Sequence, residues 1–112
     1  MPRNHPKLKI DSKVRGRFVK KKFWVHAKKD YVGVAVEDIG SGEEVVGAFM
    51  AGEGEVKVKS KAEIPLGHKI ALRDIKKGEK VVEYGEIIGA ATKAIQKGDH
   101  VHVHNLKTLR WS

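Results

Sequence analysis

Short runs of alternating apolar and polar residues are the dominant pattern along this chain. In GEVKVKSK, residues 54–61, Val56 and Val58 point to one side of an extended strand and the intervening lysines to the other. EKVVEYG (79–85) and DHVHVHN (99–105) are similarly short, β-branched and alternating. Glycine-containing turn signals recur every roughly eight to twelve residues, as in domains built from short strands. The pattern predicts a mainly β domain without a long helix.

An internal repeat supports this fold class. VAVEDIGSGEEVV (34–46) matches IALRDIKKGEKVV (70–82) at seven identical positions, and AIQKGDHVHV (94–103) is a weaker third copy. Each copy contains an apolar stretch, a turn at glycine and a strand. In the second copy ALRDI predicts a single helical turn with Ala71 and Ile75 on one side, ended by Gly78 in a positive-φ conformation. The unequal offsets between copies favour a compact pseudo-symmetric domain over a solenoid.

Three histidines lie near the end of the chain. On a strand, His100, His102 and His104 would project from one face while Val101 and Val103 enter the core. Two imidazoles at this spacing can share a divalent cation with a third ligand, so His102 and His104 are candidate metal ligands. They can equally transfer protons near neutral pH, or simply form the solvent-facing side of a strand. The run of three favours a functional surface.

Two further histidines precede repeat units at equivalent places. His26 follows the strand-like FWV, and His68 follows Gly67, which suggests that the two approach each other or a shared cleft. Each by itself is also compatible with a structural hydrogen-bonding role. Asp38 and Asp74 occupy matching repeat positions, where aspartate commonly stabilises turns. P-loop, nucleophile-elbow, zinc-protease and dinucleotide-binding motifs are absent from the sequence.

Composition and charge narrow the class of protein. The chain has 112 residues, no cysteine and 33% charged residues, which suits one globular domain and is compatible with a reducing cytoplasm. Of the net charge of +9, residues 1–22 hold +8, with nine Lys/Arg against one acid, whereas residues 23–112 hold +1. We therefore predict a flexible basic arm over 1–22 and a folded domain over 23–112. The near-neutral body argues against nucleic-acid binding, and the chain has no membrane-spanning segment.

Two long stretches identify a family resemblance. VHAKKDYVGVAVEDIGSGEEV (25–45) and IPLGHKIALRDIKKGEKVVEYGEIIGAATKAIQKGDHVHVHNLKT (64–108) resemble the SAF domain of the altronate dehydratase and (2R)-sulfolactate sulfo-lyase family. The resemblance implies a β-clip fold. It also implies lyase chemistry on a small hydroxy acid, with loss of water or sulfite, carried out together with a large subunit. A divalent metal ion, with iron as the first candidate, is expected to be held mainly by that large subunit.

The resemblance also suggests roles for particular residues. We expect a histidine edge to close one side of the shared active site, with four candidate catalytic residues: His26, His68, His102 and His104. The candidate substrate-binding residues are Lys69, Tyr84, His100 and Asn105. A non-catalytic module that binds a carbohydrate or another ligand is the alternative, and association of this chain with copies of itself stays open.

Overall fold

The computed structural model describes residues 10–11, 17–18 and 20–108. These residues form eleven strands: β1 (Ile10–Asp11), β2 (Arg17–Phe18), β3 (Lys21–Val25), β4 (Val32–Ala35), β5 (Glu44–Phe49), β6 (Glu55–Lys59), β7 (Lys69–Ala71), β8 (Lys80–Glu83), β9 (Glu86–Ala91), β10 (His100–Val101) and β11 (Leu106–Thr108). Six of them form one sheet in the order β10-β7-β4-β3-β5-β6. A second sheet has the order β11-β9-β8, and β1 pairs with β2. The mainly β prediction is confirmed.

The predicted basic arm, 1–22, lies largely outside the described residues. Of its members, β1 and β2 form an antiparallel pair. Lys21 and Lys22 already belong to β3, whose pairing with β5 is parallel and with β4 antiparallel. The boundary between the arm and the domain stays a prediction.

The repeat consists of four turns rather than three copies. Segments 36–43, 61–68, 72–79 and 92–99 each contain a bend, an isolated β-bridge at an isoleucine and a tight turn. The bridges pair the turns, Ile39 with Ile64 and Ile75 with Ile95. Three residues after each isoleucine stands a glycine with positive φ, between 83° and 94°: Gly42, Gly67, Gly78 and Gly98. We refer to these segments below as the first, second, third and fourth turns.

The predicted helical turns are wrong, because the described residues contain no helix. Ala71 ends β7, and Ile75 makes its two backbone hydrogen bonds with Ile95 on a distant segment. An i-to-i+4 helical ladder would use the same N–H and C=O groups, so the long-range bridge replaces it. Ala71 and Ile75 are nonetheless both buried, as their apolar character indicates.

The four turns divide the core into two similar halves. The first and second turns enclose one buried cluster: Phe23, Val25, Ala35, Ile39, Val45, Val58, Ile64 and Ile70. The third and fourth turns enclose the other: Val32, Ala71, Ile75, Val81, Ala91, Ile95, Val101 and Leu106. Strand β7 serves both halves, since Ile70 belongs to the first cluster and Ala71 to the second. Burial of these side chains is the main driving force for the fold.

Carboxylates bind backbone N–H groups within and between the turns. Glu43, Glu79 and Asp99, each directly after the turn glycine, accept a hydrogen bond from the backbone N–H three residues earlier, at 2.7–2.9 Å. Asp38 accepts from the N–H of Leu66 and Asp74 from that of Lys97, both at 2.8 Å. The structural role predicted for Asp38 and Asp74 is therefore confirmed. No helix within the described segments has the length and hydropathy to span a bilayer.

Candidate functional site

The second turn differs from the other three in its side chains. Its residue after the glycine is His68, where the others have an acid, and the position three residues earlier is Pro65. A proline has no N–H to donate, so this turn needs no carboxylate. The His68 N–H still donates to the Pro65 carbonyl at 2.9 Å, which keeps the backbone of the turn. The imidazole of His68 is thus free to make other contacts.

Residues 100–105 form a strand followed by a turn, not one continuous strand. β10 ends at Val101, which is fully buried as predicted, and residues 102–105 turn. The prediction that Val103 enters the core is wrong, because the chain leaves the sheet there and Val103 is 80% exposed. Asn105 holds this turn together. Its side-chain oxygen accepts from the N–H of His102 at 2.9 Å, and its amide nitrogen donates to the His100 carbonyl at 2.8 Å.

This geometry brings four imidazoles together in what we call the histidine cluster: His68, His100, His102 and His104. Nδ1 of His68 and Nε2 of His100 are hydrogen-bonded at 2.8 Å. The His68 ring stacks on that of His102 with 4.2 Å between ring centres, and the His104 ring lies 5.2 Å from that of His100. The clustering predicted for the terminal histidines is present, with His68 as an additional member.

Burial and repulsion between the rings lower the pKa of two imidazoles in this cluster. Burial lowers the pKa of His100, and positive charge on His104, His68 and His102 would lower it further. Burial also lowers the pKa of His102, with smaller contributions from His68, His104 and Lys69. Neutral imidazoles have a free nitrogen lone pair, which can bind a proton, a substrate hydroxyl group or a metal ion. In the described part of the chain, His68, His100 and His102 offer ligand nitrogens that all lie within 4.8 Å of one another.

His26 and Tyr84 belong to a separate open pocket of about 470 Å³. The apolar part of its lining consists of Trp24, Val34, Val36 and Met50, and its polar part of His26, Tyr84 and Glu83. The His26 and Tyr84 rings are 4.5 Å apart. Nδ1 of His26 is buried and has no hydrogen-bond partner among the described residues.

Tyr84 has an unusual backbone conformation. It forms, with Gly85, the two-residue turn between β8 and β9, and both residues have positive φ, 59° and 73°. Such turns usually contain asparagine or aspartate before glycine, because larger side chains fit this conformation poorly. The tyrosine is half exposed and contacts His26. Local strain at a residue that lines a pocket is a common feature of functional sites.

Lys69 pairs with Glu83, one of the residues that line the pocket. It follows His68 in the chain, and its Nζ lies 3.7 Å from Oε1 of Glu83. Burial raises the pKa of Glu83. The positive charge of Lys69 lowers this pKa in part, and the negative charge of Asp30 raises it further. A carboxyl group with a raised pKa beside an ammonium group is a typical arrangement for proton transfer to or from a bound acid.

The predicted site residues therefore fall into two neighbouring groups. His68 contacts His100 and His102, whereas His26 contacts Tyr84, so the structure does not bring His26 and His68 together as suggested. Lys69, which follows His68, pairs instead with Glu83 of the pocket that His26 lines. Sequence reasoning missed Glu83. The signal was available, since Glu83 occupies the same strand face as the buried Val81 in an alternating strand.

The duplicated turns, the β-clip arrangement of short strands and the histidine cluster define a small β domain with internal pseudo-symmetry. Residues 21–109 match the family described as "Altronate/galactarate dehydratase SAF domain", and the chain belongs to that family. The resemblance predicted from the sequence is confirmed.

The relatives differ in the share of their own length that matches this chain. It is 42% identical over 90 residues to (2R)-sulfolactate sulfo-lyase subunit alpha of Chromohalobacter salexigens, which covers 80% of this chain and 96% of that protein. Identity to the subunit alpha of Paracoccus pantotrophus is 46% over 57 residues, 51% of this chain and 85% of that one. Altronate dehydratase of Bacillus subtilis is 42% identical over 81 residues, 72% of this chain but 15% of the dehydratase.

Proposed function

We propose that this chain is the small subunit of a hydroxy-acid lyase and completes the active site of a separate large subunit. The observation that carries this proposal is the difference in coverage. The chain matches 96% of a protein named as subunit alpha of a sulfo-lyase, but 15% of an altronate dehydratase of the same family. In the dehydratase, most of the protein thus lies outside the region similar to this chain. A relative with the same domain in a separate subunit supports a division of labour between two chains.

The chemistry of the proposed reaction explains why a second chain is needed. A base removes the proton next to a carboxylate, and a β-substituent, hydroxide or sulfite, leaves. A divalent metal ion supplies charge neutralisation for the resulting enolate when it is bound. Oxygen ligands such as carboxylates would suit that role, and the described residues contain no convergent carboxylate cluster, but a group of three imidazoles. We therefore assign this metal ion mainly to the large subunit.

The residues of this chain supply binding and proton transfer in the proposal. Lys69 attracts the carboxylate or sulfonate group of the substrate, competing with its ion pair to Glu83. Glu83, with its raised pKa, and His26, which lines the same pocket, hold and move a proton in the proposal. Tyr84 orients His26 through ring contact. Asn105 positions His100 and His102 through the backbone instead of binding substrate, because both ends of its amide are occupied.

Purification of the complex from the native cell is the first test. An affinity-tagged copy of this chain is expected to retain a larger partner, identified by mass spectrometry. The complex is then assayed for sulfite release from sulfolactate and for dehydration of altronate and galactarate. Recovery of this chain without a partner, or a complex that is inactive on all three acids, would contradict the proposal.

A matched pair of lysine variants tests the site itself. Lys69→Ala is expected to raise the KM of the assembled enzyme at least about tenfold, since an ionic contact with the substrate is lost. Lys57→Ala removes the same charge from β6, where Lys57 is exposed, and should leave KM unchanged. Equal effects of the two substitutions would show that Lys69 acts only through net charge.

The second candidate function is binding of a carbohydrate or sugar acid without catalysis. The half-exposed rings of Trp24 and Tyr84 in one pocket favour it, because aromatic faces commonly contact sugars. Binding of a sugar acid by this chain alone, together with the absence of any active complex, would support this function over the lyase.

A further inference from the structure

We propose that His68, His100 and His102 form a binding site for a divalent first-row transition-metal ion within this chain. This site is separate from the metal ion assigned to the large subunit, and it requires no second chain. One nitrogen from each of the three rings lies within 4.8 Å of the other two. The proposal goes beyond the lyase function, because it concerns an ion that this chain would bind on its own.

The separation of the rings suits a metal ion. Tetrahedral Zn²⁺ with Zn–N bonds of about 2.0 Å holds its ligand nitrogens about 3.3 Å apart. Nδ1 of His68 and Nε2 of His100 are 2.8 Å apart and share a hydrogen bond. Metal binding would replace that shared proton and require these two atoms to separate by about half an ångström. The third ring, His102, stacks on His68 and must rotate to aim a nitrogen at the ion.

The backbone around the three ligands is already fixed. His100 lies on β10 opposite Ile70 of β7, and Ile70 is fully buried. Asn105 holds the backbone on both sides of Val101, through the His100 carbonyl and the His102 N–H. The second turn fixes the backbone of His68. Metal sites whose ligands stand on such a rigid frame lose little entropy on binding.

The ligand set indicates the class of metal. Three neutral imidazoles suit Zn²⁺, Co²⁺, Ni²⁺, Cu²⁺ or Fe²⁺, whereas Mg²⁺ and Ca²⁺ prefer oxygen ligands. The chain has no cysteine, so a thiolate site is excluded. His102 is exposed, which leaves one side of the site open. A site with three protein ligands and an open position can accept water or an oxygen of a small acid.

His104 provides a matched control. Its ring contacts that of His100 at 5.2 Å, but it is not among the three residues whose ligand nitrogens converge. It has the same side chain as the proposed ligands and is exposed on the same turn as His102. Replacing His104 therefore shows the effect of losing a nearby histidine that is not a proposed metal ligand.

The test measures metal binding by the purified full chain carrying no polyhistidine tag. Calorimetric titration with Zn²⁺ is expected to give one ion per chain, and Co²⁺ should produce visible absorption bands of a low-coordinate nitrogen site. His102→Ala, an exposed position, and the triple variant His68→Ala/His100→Ala/His102→Ala are each expected to lower Zn²⁺ affinity at least about tenfold. His104→Ala should change it less than about threefold. Circular dichroism checks that each variant is folded.

Several outcomes would overturn the proposal. These are stoichiometric binding that survives in the triple variant, equal losses in His102→Ala and His104→Ala, or no Zn²⁺ binding by the unaltered chain. None of these results depends on a partner subunit or on turnover, so the metal site can fail while the proposed lyase function stands. If the ion binds, these three imidazoles no longer transfer protons, and His26 and Glu83 carry that role.

Discussion

The second and fourth turns have the same backbone and different side chains. In the second, the N–H of Gly67 donates to the Ala35 carbonyl, and in the fourth the N–H of Gly98 donates to that of Ala71, both at 2.8 Å. The fourth turn adds a carboxylate, Asp99, that accepts from the N–H of Gln96 at 2.7 Å. The second turn has Pro65 and His68 at the two corresponding positions.

This difference shows how one copy of a structural repeat can carry a different side chain on the same backbone. Proline removes the backbone donor that an acid would otherwise satisfy, so the residue after the glycine no longer has to be acidic. His68 occupies that position and points its ring at His100 and His102. The fourth turn has the carboxylate of the structural arrangement, and the second combines the same backbone with a side chain that contacts the histidine cluster.

Alanine at the turn glycines should produce the largest difference between the two turns. A Cβ at Gly98 would lie 2.2 Å from the carbonyl oxygen of Lys59, and its φ of 94° is unfavourable for any residue with a Cβ. At Gly67 the φ is 87°, but no atom lies within 4 Å of the added Cβ. We expect Gly98→Ala to cost about 3 kcal/mol or more and Gly67→Ala about 1 kcal/mol. Urea denaturation measures both, and equal losses would contradict the comparison.

Removal of the side chain after the glycine should give a smaller difference. Asp99→Ala leaves the Gln96 N–H without its acceptor, and we expect a loss of about 1 kcal/mol in unfolding free energy. His68→Ala breaks no comparable bond to the backbone and should cost less than half as much. A greater loss from His68→Ala than from Asp99→Ala would show that His68 is mainly a structural residue.

Converting the second turn into a copy of the fourth tests the role of Pro65. His68→Asp alone places a carboxylate where there is no N–H to bind, whereas Pro65→Gln with His68→Asp restores the pair found at Gln96 and Asp99. A double-mutant cycle should give a favourable coupling of about 0.5–1 kcal/mol. Zero coupling would mean that the two positions vary independently.

Acidification should weaken the fold through the histidine cluster by the smallest amount. Unfolded histidine titrates near pH 6.5, and the folded protein lowers the pKa of His100 and His102, so below that pH the unfolded chain binds more protons. Unfolding free energy, measured with a chelator present, should therefore decrease as the pH falls from about 7.5 to 5.5. His100→Gln should reduce this slope. A slope of opposite sign, or one unaffected by the substitution, would contradict the assignment.

The class of fold and the family were predictable from the sequence. The alternation of apolar and polar residues and the repeated glycine turns depend on residues that are close together in the chain. Alternation placed Val101 in the core, and the matching positions of Asp38 and Asp74 indicated turn residues. The helical turn at Ala71–Ile75 was wrong because both residues use long-range partners, which local propensity does not register. Val103 was misplaced because Asn105, through its side chain, ends the strand two residues early.

The candidate site was predictable as a set of residue types but not as an arrangement. The spacing of the terminal histidines predicts that they lie close together. The position of His68 beside them depends on the pairing of β7 with β10, which the sequence does not show. The second turn itself went unrecognised, since Pro65 and His68 remove the acidic residue that marks the other three. The alternation of β8 indicated that Glu83 is buried, but its ion pair with Lys69 joins different strands and is not visible in the sequence.

The central claim is that His68 is a functional residue on a structural turn, and turnover of the assembled complex tests it most directly. The double variant Pro65→Gln/His68→Asp restores the structural pair, so it should fold and retain the proposed large subunit. We predict that its turnover falls at least about tenfold relative to the unaltered complex, because the histidine cluster loses one of its three convergent imidazoles. Unchanged turnover by a correctly assembled double variant would contradict the claim.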